Sequence, residues 1–91
     1  MPTTDLILEI VNEKGLHARA SAKFVETVEA HDAQAQVSRE GMRVSGDSIM
    51  GLLMLAASKG TSIHVSTSGP QANELGEALR ALVADKFGEG A

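Results

Sequence analysis

Gly15-Leu16-His17-Ala18-Arg19-Ala20-Ser21-Ala22-Lys23-Phe24-Val25 admits two readings, and the choice between them decides the fold. Leu16, Ala18, Ala20, Ala22 and Phe24 alternate, as they would on a strand. Ala18, Ser21, Val25 and Val28 fall at i, i+3, i+7 and i+10 with Phe24 beside them, as they would on one face of a helix. Alanine is the best helix former and a poor strand residue, so the composition favours the helix. The expected helix runs from about Ala18 to Ala30 and ends before His31-Asp32. His17 then stands where loop becomes helix, with an arginine two residues further on.

The flanking segments follow. Asp5-Leu6-Ile7-Leu8-Glu9-Ile10-Val11 reads as a strand with Leu6, Leu8 and Ile10 on one face, and Asn12-Glu13-Lys14-Gly15 as a turn. Ala33 to Arg39 alternates apolar and polar, Glu40-Gly41 is a turn, and Met42-Arg43-Val44-Ser45 resumes the alternation, which predicts a hairpin. Ser48 or Asp47 suits the N-cap of a short apolar helix through Ala57. Thr61 to Thr67 is a fourth strand with Ile63 and Val65 inward. Gln34, Gln36, Ser62, His64 and Ser66 would face solvent. Pro70 suits the first position of a last helix, lined on one side by Leu75, Ala78, Leu79, Leu82, Val83 and Phe87 and ended by Gly88. The order β-α-β-β-α-β-α predicts an α+β fold, with an antiparallel sheet covered on one side by three helices.

Bulk properties narrow the function. Ninety-one residues, 43% of them apolar, suit a single small domain spanning 1–91. With two Phe and no Tyr or Trp, the core must come from Leu, Ile, Val, Ala and Met. A net charge of −4, with no basic stripe, argues against nucleic acid. No apolar run is long enough to span a bilayer, and Met1-Pro2-Thr3-Thr4-Asp5 is not a signal peptide, so a cytoplasmic protein is expected.

His17 is the first candidate for chemistry. Free N–H groups and the positive end of the dipole at a helix start favour an anion. A phosphoryl group carried on the imidazole would meet the Ala18 and Arg19 amides and the Arg19 guanidinium. A partly exposed histidine filling a loop-to-helix corner fits the spacing equally well. Ser48 is either a structural N-cap or a regulatory phosphorylation site, where a phosphate would place about two negative charges beside Ile49 and Met50. Gly41 to Ser48 has the spacing of a phosphate-binding loop, but Asp47 stands where a lysine is required, which excludes it. His31 suits a structural role at a helix end and His64 an exposed position. The three histidines are too dispersed for a local metal motif, and neither metal nor cofactor is expected.

At Gly15-Leu16-His17-Ala18-Arg19 the chain resembles HPr, the histidine-containing phosphocarrier family of the bacterial phosphoenolpyruvate-dependent phosphotransferase system. A second motif, Asp47-Ser48-Ile49-Met50-Gly51-Leu52-Leu53-Met54-Leu55, falls where that family has its regulatory serine and docking helix. Lys59-Gly60 and Gly69-Pro70 also fit, the latter especially the nitrogen-related branch (NPr-like members). The resemblance implies an open-faced β-sandwich, a four-stranded antiparallel sheet with three helices on one face. It implies a carrier rather than an enzyme, and a monomer. His17 would accept phosphate on Nδ1 from phosphorylated enzyme I and pass it to a histidine of an enzyme IIA-type domain, assisted by Arg19. Ser48 would be the target of an HPr kinase/phosphorylase, and Leu16, Ile49, Met50 and Leu53 would form the docking surface. The chain departs from the family pattern in three ways: Ala20 replaces a usual proline, Lys14 a small polar residue, and Glu26, Glu29 and Asp47 occupy the docking region where sugar-branch members often carry lysines. Weaker electrostatic steering toward an acidic enzyme I follows, and with it a nitrogen-branch or regulatory role. The competing expectation is a regulatory binding module controlled at Ser48, docking through the Ile49–Met54 surface.

Overall fold

A computed structural model describes residues 2–91. The strands are β1 (Thr3–Glu9), β2 (Gln34–Arg39), β3 (Met42–Ser45) and β4 (Ser62–Ser68). The helices are α1 (Ala18–Glu29), α2 (Ile49–Met54) and α3 (Ala72–Ala84), and a 3-10 turn follows at Lys86–Gly88. The sheet order is β1-β4-β2-β3 with every pair antiparallel.

The predicted hairpin joins β2 to β3. Glu40 and Gly41 both have positive φ, the geometry that a two-residue turn needs to match strand twist. Alternation sorts the faces. Leu8, Ala35, Val37, Ile63 and Val65 are buried on one side, and Val37 stands opposite both Val44 and Val65. On the other side Ile7, Gln34, Gln36, Ser62 and His64 are exposed and Ser66 is half-buried. An antiparallel sheet tolerates this asymmetry because its connections need not cross the second face.

The helices cover the apolar side. Ala20, Phe24, Val25 and Val28 of α1 and Leu75, Leu79 and Val83 of α3 enter one core with Leu52 of α2. Both phenylalanines are fully buried. The helical reading of the opening stretch therefore holds: α1 buries Ala20, Ser21, Phe24, Val25 and Val28, while Ala18 and Arg19 stay exposed.

β1 lies two residues earlier than the expected Asp5–Val11, and three helix boundaries also differ from the sequence expectation. Pro70 is not the first residue of α3; Gly69 to Ala72 form a turn closed by Ala72 N–H to Gly69 O at 3.1 Å, which places Pro70 at the second turn position, another site that suits its fixed φ. The helix begins at Ala72. α2 is only six residues long, because the chain turns left-handed at Ala56 (φ 51°). α3 ends at Ala84, before Phe87, and Lys86 and Phe87 adopt φ of 56° and 55°. Each such non-glycine residue costs roughly 1–2 kcal/mol. Complete burial of the Phe87 ring contributes about 1.5–3 kcal/mol, and Lys23 Nζ donates to Phe87 O at 2.6 Å. These contacts offset the strain and turn the tail back toward the start of α1.

Gly15 (φ 65°) fixes where α1 starts, since a Cβ there would lie 2.5 Å from Ala57 O. The expected result of Gly15→Ala is a loss above about 2 kcal/mol, the left-handed penalty plus the displacement of the Ala57 backbone in the segment after α2. A urea melt with unchanged slope and lowered midpoint would show it.

Candidate functional site

The loop before α1 is held from beneath. Gly15 N–H donates to Asn12 O at 3.2 Å and Leu16 N–H to Ala57 O at 2.9 Å. These bonds deliver His17 to the N-cap of α1 in extended conformation (φ −79°, ψ −176°). The His17 side chain makes no capping bond, and the first helical bond is Ser21 N–H to His17 O at 2.8 Å. The amides of Ala18, Arg19 and Ala20 therefore have no acceptor inside the helix. No acidic side chain occupies the first turn to neutralise the dipole. Arg19 is exposed and forms no ion pair among the described residues.

The imidazole is 28% exposed and Nε2 contacts Glu89 Oε2. Glu89 is held in turn by fully buried Asn12, whose Nδ2 donates to Glu89 Oε1 at 3.0 Å and to Gly15 O at 2.8 Å. Glu13 N–H donates to the Ala91 main-chain oxygen at 3.1 Å, so the tail lies along the loop. His17, Arg19, Lys14 and the tail together line a shallow, open depression. The Asn12 hydrogen bond, and after it that with His17, holds the Glu89 carboxyl below its ordinary value. Asn12 and Glu89 were not among the sequence candidates. No local pattern singles them out, because the bond between them joins residues 77 apart in sequence.

The second motif sits apart on α2. Ser48 is its N-cap, and Oγ accepts from Gly51 N–H at 3.0 Å. Asp47 instead accepts from Ser45 Oγ at 2.6 Å. Ile49, Met50 and Met54 are exposed (40%, 70% and 63%), and Leu53 is half-buried. Leu16 does not belong with them. It is 4% exposed and part of the core, because its amide is bound to Ala57 and its side chain turns inward. His31 Nδ1 lies 2.8 Å from Thr27 O, a structural contact at the end of α1. His64 pairs with Asp5 across the open face at 3.2 Å, an exposed pair of little energetic weight.

Residues 6–85 match the family model described as PTS HPr component phosphorylation site. The chain belongs to the HPr family. It is 48% identical over 83 residues to the phosphocarrier protein HPr of Neisseria meningitidis, covering 91% of this chain and 93% of that one. It is 47% identical over 81 residues to that of Cupriavidus necator, covering 89% and 91%. Among solved structures, HPr-C-His from Thermoanaerobacter tengcongensis superposes with a TM-score of 0.91 at 36% identity, covering 97% of this chain and 99% of that one. The HPr of Bacillus anthracis gives 0.85 at 32% identity, covering 91% and 99%. The open-faced sandwich is thus the HPr fold, and the function is that of a phosphocarrier in a phosphotransferase system. No helix among the described residues is long and apolar enough to cross a membrane.

Because the Glu89 carboxyl is depressed from 4.5, its anchoring of the tail is complete above that value and is lost as pH falls through the lowered one. Amide exchange of residues 89–91, beyond the Phe87 anchor, followed from about pH 6 to about pH 2, is expected to lose protection only on the acid side. In Glu89→Gln this transition is expected to disappear.

Proposed function

We propose that His17 is the phosphorylated residue. Phosphorylated enzyme I supplies the group to Nδ1, and an enzyme IIA-type histidine takes it away. The observation that carries this reading is the meeting, at one open surface, of a partly exposed imidazole with three helix amides and an Arg19 side chain that have no partner among the described residues. The Nδ1 lone pair attacks phosphorus in line as the donor bond breaks. The developing charge on the phosphoryl oxygens is met by the amides of Ala18 to Ala20 and by Arg19. An open depression suits a carrier better than a closed pocket, since two partners must reach the same atom in turn. The chain acts as one monomeric carrier domain in the cytoplasm, without a cofactor.

The test is transfer from phosphoenolpyruvate through enzyme I. An acid-labile phosphoryl label is expected on the wild type and none on His17→Ala; a label that persists in the variant refutes the assignment. Arg19→Ala is expected to slow transfer about tenfold to a hundredfold, below the figure for buried oxyanion donors because water shares the site.

Ser48 carries a regulatory reading for an HPr kinase/phosphorylase, supported by the exposed Ile49, Met50 and Met54 that follow it. A phosphate on Ser48 would place about two charges at the edge of that apolar patch, where enzyme I and enzyme IIA-type domains would dock. Ser48→Asp is expected to weaken enzyme I binding roughly tenfold by calorimetry, while Met50→Ala weakens it without adding charge. Unchanged affinity in Ser48→Asp would remove the switch.

A further inference from the structure

The geometry points to Glu89 as the residue that directs phosphoryl transfer to Nδ1 of His17, by holding the proton on Nε2 and covering that nitrogen. The inference rests on His17 being the phosphorylated residue. An imidazole offers two nucleophilic nitrogens, and an open surface exposes both unless something distinguishes them. Here Nε2 meets Glu89 Oε2, and a carboxylate only accepts, so Nε2 bears the hydrogen and the ring lone pair falls on Nδ1.

The contact is built rather than incidental. The other carboxylate oxygen is held by Asn12 Nδ2, and Asn12 is fully buried and also grips Gly15 O. The buried Phe87 ring and Lys23 fix the tail two residues earlier. Glu89 is thus tied at both oxygens across 72 residues of sequence to the ring and 77 to Asn12. Lys14, Arg19, Lys23, Lys86 and Glu13, the last paired with Lys59, are further charged groups near this end of the site.

The chemistry follows. Attack by Nδ1 forms the Nδ1–P bond, breaks the donor's bond to phosphorus, and leaves the Nε2 proton in place. The phosphorylated ring then carries a positive charge facing the Glu89 carboxylate. On transfer the Nδ1–P bond breaks and neutral imidazole leaves, again with no proton moved. Attack by Nε2 would require its proton to depart first and an anionic phosphoryl group to approach the carboxylate. Glu89 is a positioning residue, since it acts through the ring and not on the phosphoryl group.

Phosphoramidate tests this without any protein partner. Its P–N bond breaks, ammonia leaves, and phosphorus NMR separates Nδ1- from Nε2-phosphohistidine. The His17 signals are identified by their absence in His17→Ala. The wild type is expected to give the Nδ1 isomer in large excess. Glu89→Ala is expected to raise the Nε2 share about tenfold, the scale of one charge-assisted hydrogen bond. Glu89→Gln keeps an acceptor without the charge and should fall between, and its folding is secured by the same Phe87 and Lys23 contacts. Nitrogen-15 spectra of unphosphorylated His17 should show Nε2–H in the wild type and a tautomer mixture in Glu89→Ala, a signature that mere loosening of the fold would not produce. An isomer ratio unchanged in Glu89→Ala, or Nε2-phosphohistidine as the main wild-type product, overturns the inference. Failure of enzyme I to label a protein that phosphoramidate phosphorylates at Nδ1 would overturn the relay and leave the role of Glu89 standing. A His17 that neither donor phosphorylates overturns both.

Discussion

One close approach governs where the chemistry can be placed. The Gly15 backbone lies against the Ala57 carbonyl so tightly that no side chain fits, and its left-handed φ ends the loop abruptly. Leu16 is consequently pinned to Ala57, its side chain enters the core, and His17 becomes the last residue outside the helix. Had the turn closed one residue earlier, His17 would lie inside the first turn, its main chain helical and its ring leaning along the helix. The position of the histidine at the unpaired amides is therefore a consequence of packing between the α1 entry and the segment after α2. His17 itself adds only main-chain bonds there, its N–H donating to Gly15 O at 2.9 Å.

The site is assembled from three parts of the chain that are remote in sequence. The helix start supplies amides and Arg19, the loop supplies buried Asn12, and the tail supplies Glu89. Each is held by a different force: hydrogen bonding to Ala57, burial, and the insertion of Phe87 into the core. Asn12 has one amide oxygen without a partner among the described residues, while both bonds from its nitrogen are spent on orienting the loop and Glu89. A buried, half-satisfied amide is costly, and what Asn12 supplies against that cost is the orientation of the loop and of Glu89 beside His17.

The two motifs divide along a physical line. His17 sits in a polar, open depression built around charge, and the α2 surface presents Ile49, Met50 and Met54 with no charge in the first turn. Methionines adapt to differently shaped surfaces, and two of the three exposed apolar side chains here are methionines. The charge chemistry and the apolar contact area thus occupy neighbouring but separate elements.

The sequence by itself determined the strands, the hairpin, the helical reading of α1 and the inward faces, because hydrophobic period and turn residues are local properties. It also placed His17 at one helix start and narrowed the other to Ser48 or Asp47, since capping is read over a few positions; the structure selects Ser48. It did not reveal that β4 lies between β1 and β2, as strand order depends on pairing across the whole chain. It misjudged Leu16, whose direction depends on a contact 41 residues away, and Phe87, which reads as a helix-face residue until the left-handed break at Lys86 is known. Only the tertiary structure brought Glu89 to Nε2 of His17, because no periodic pattern links a tail carboxylate to a ring 72 residues before it. The opening stretch defined one face of the site, and long-range packing supplied the other.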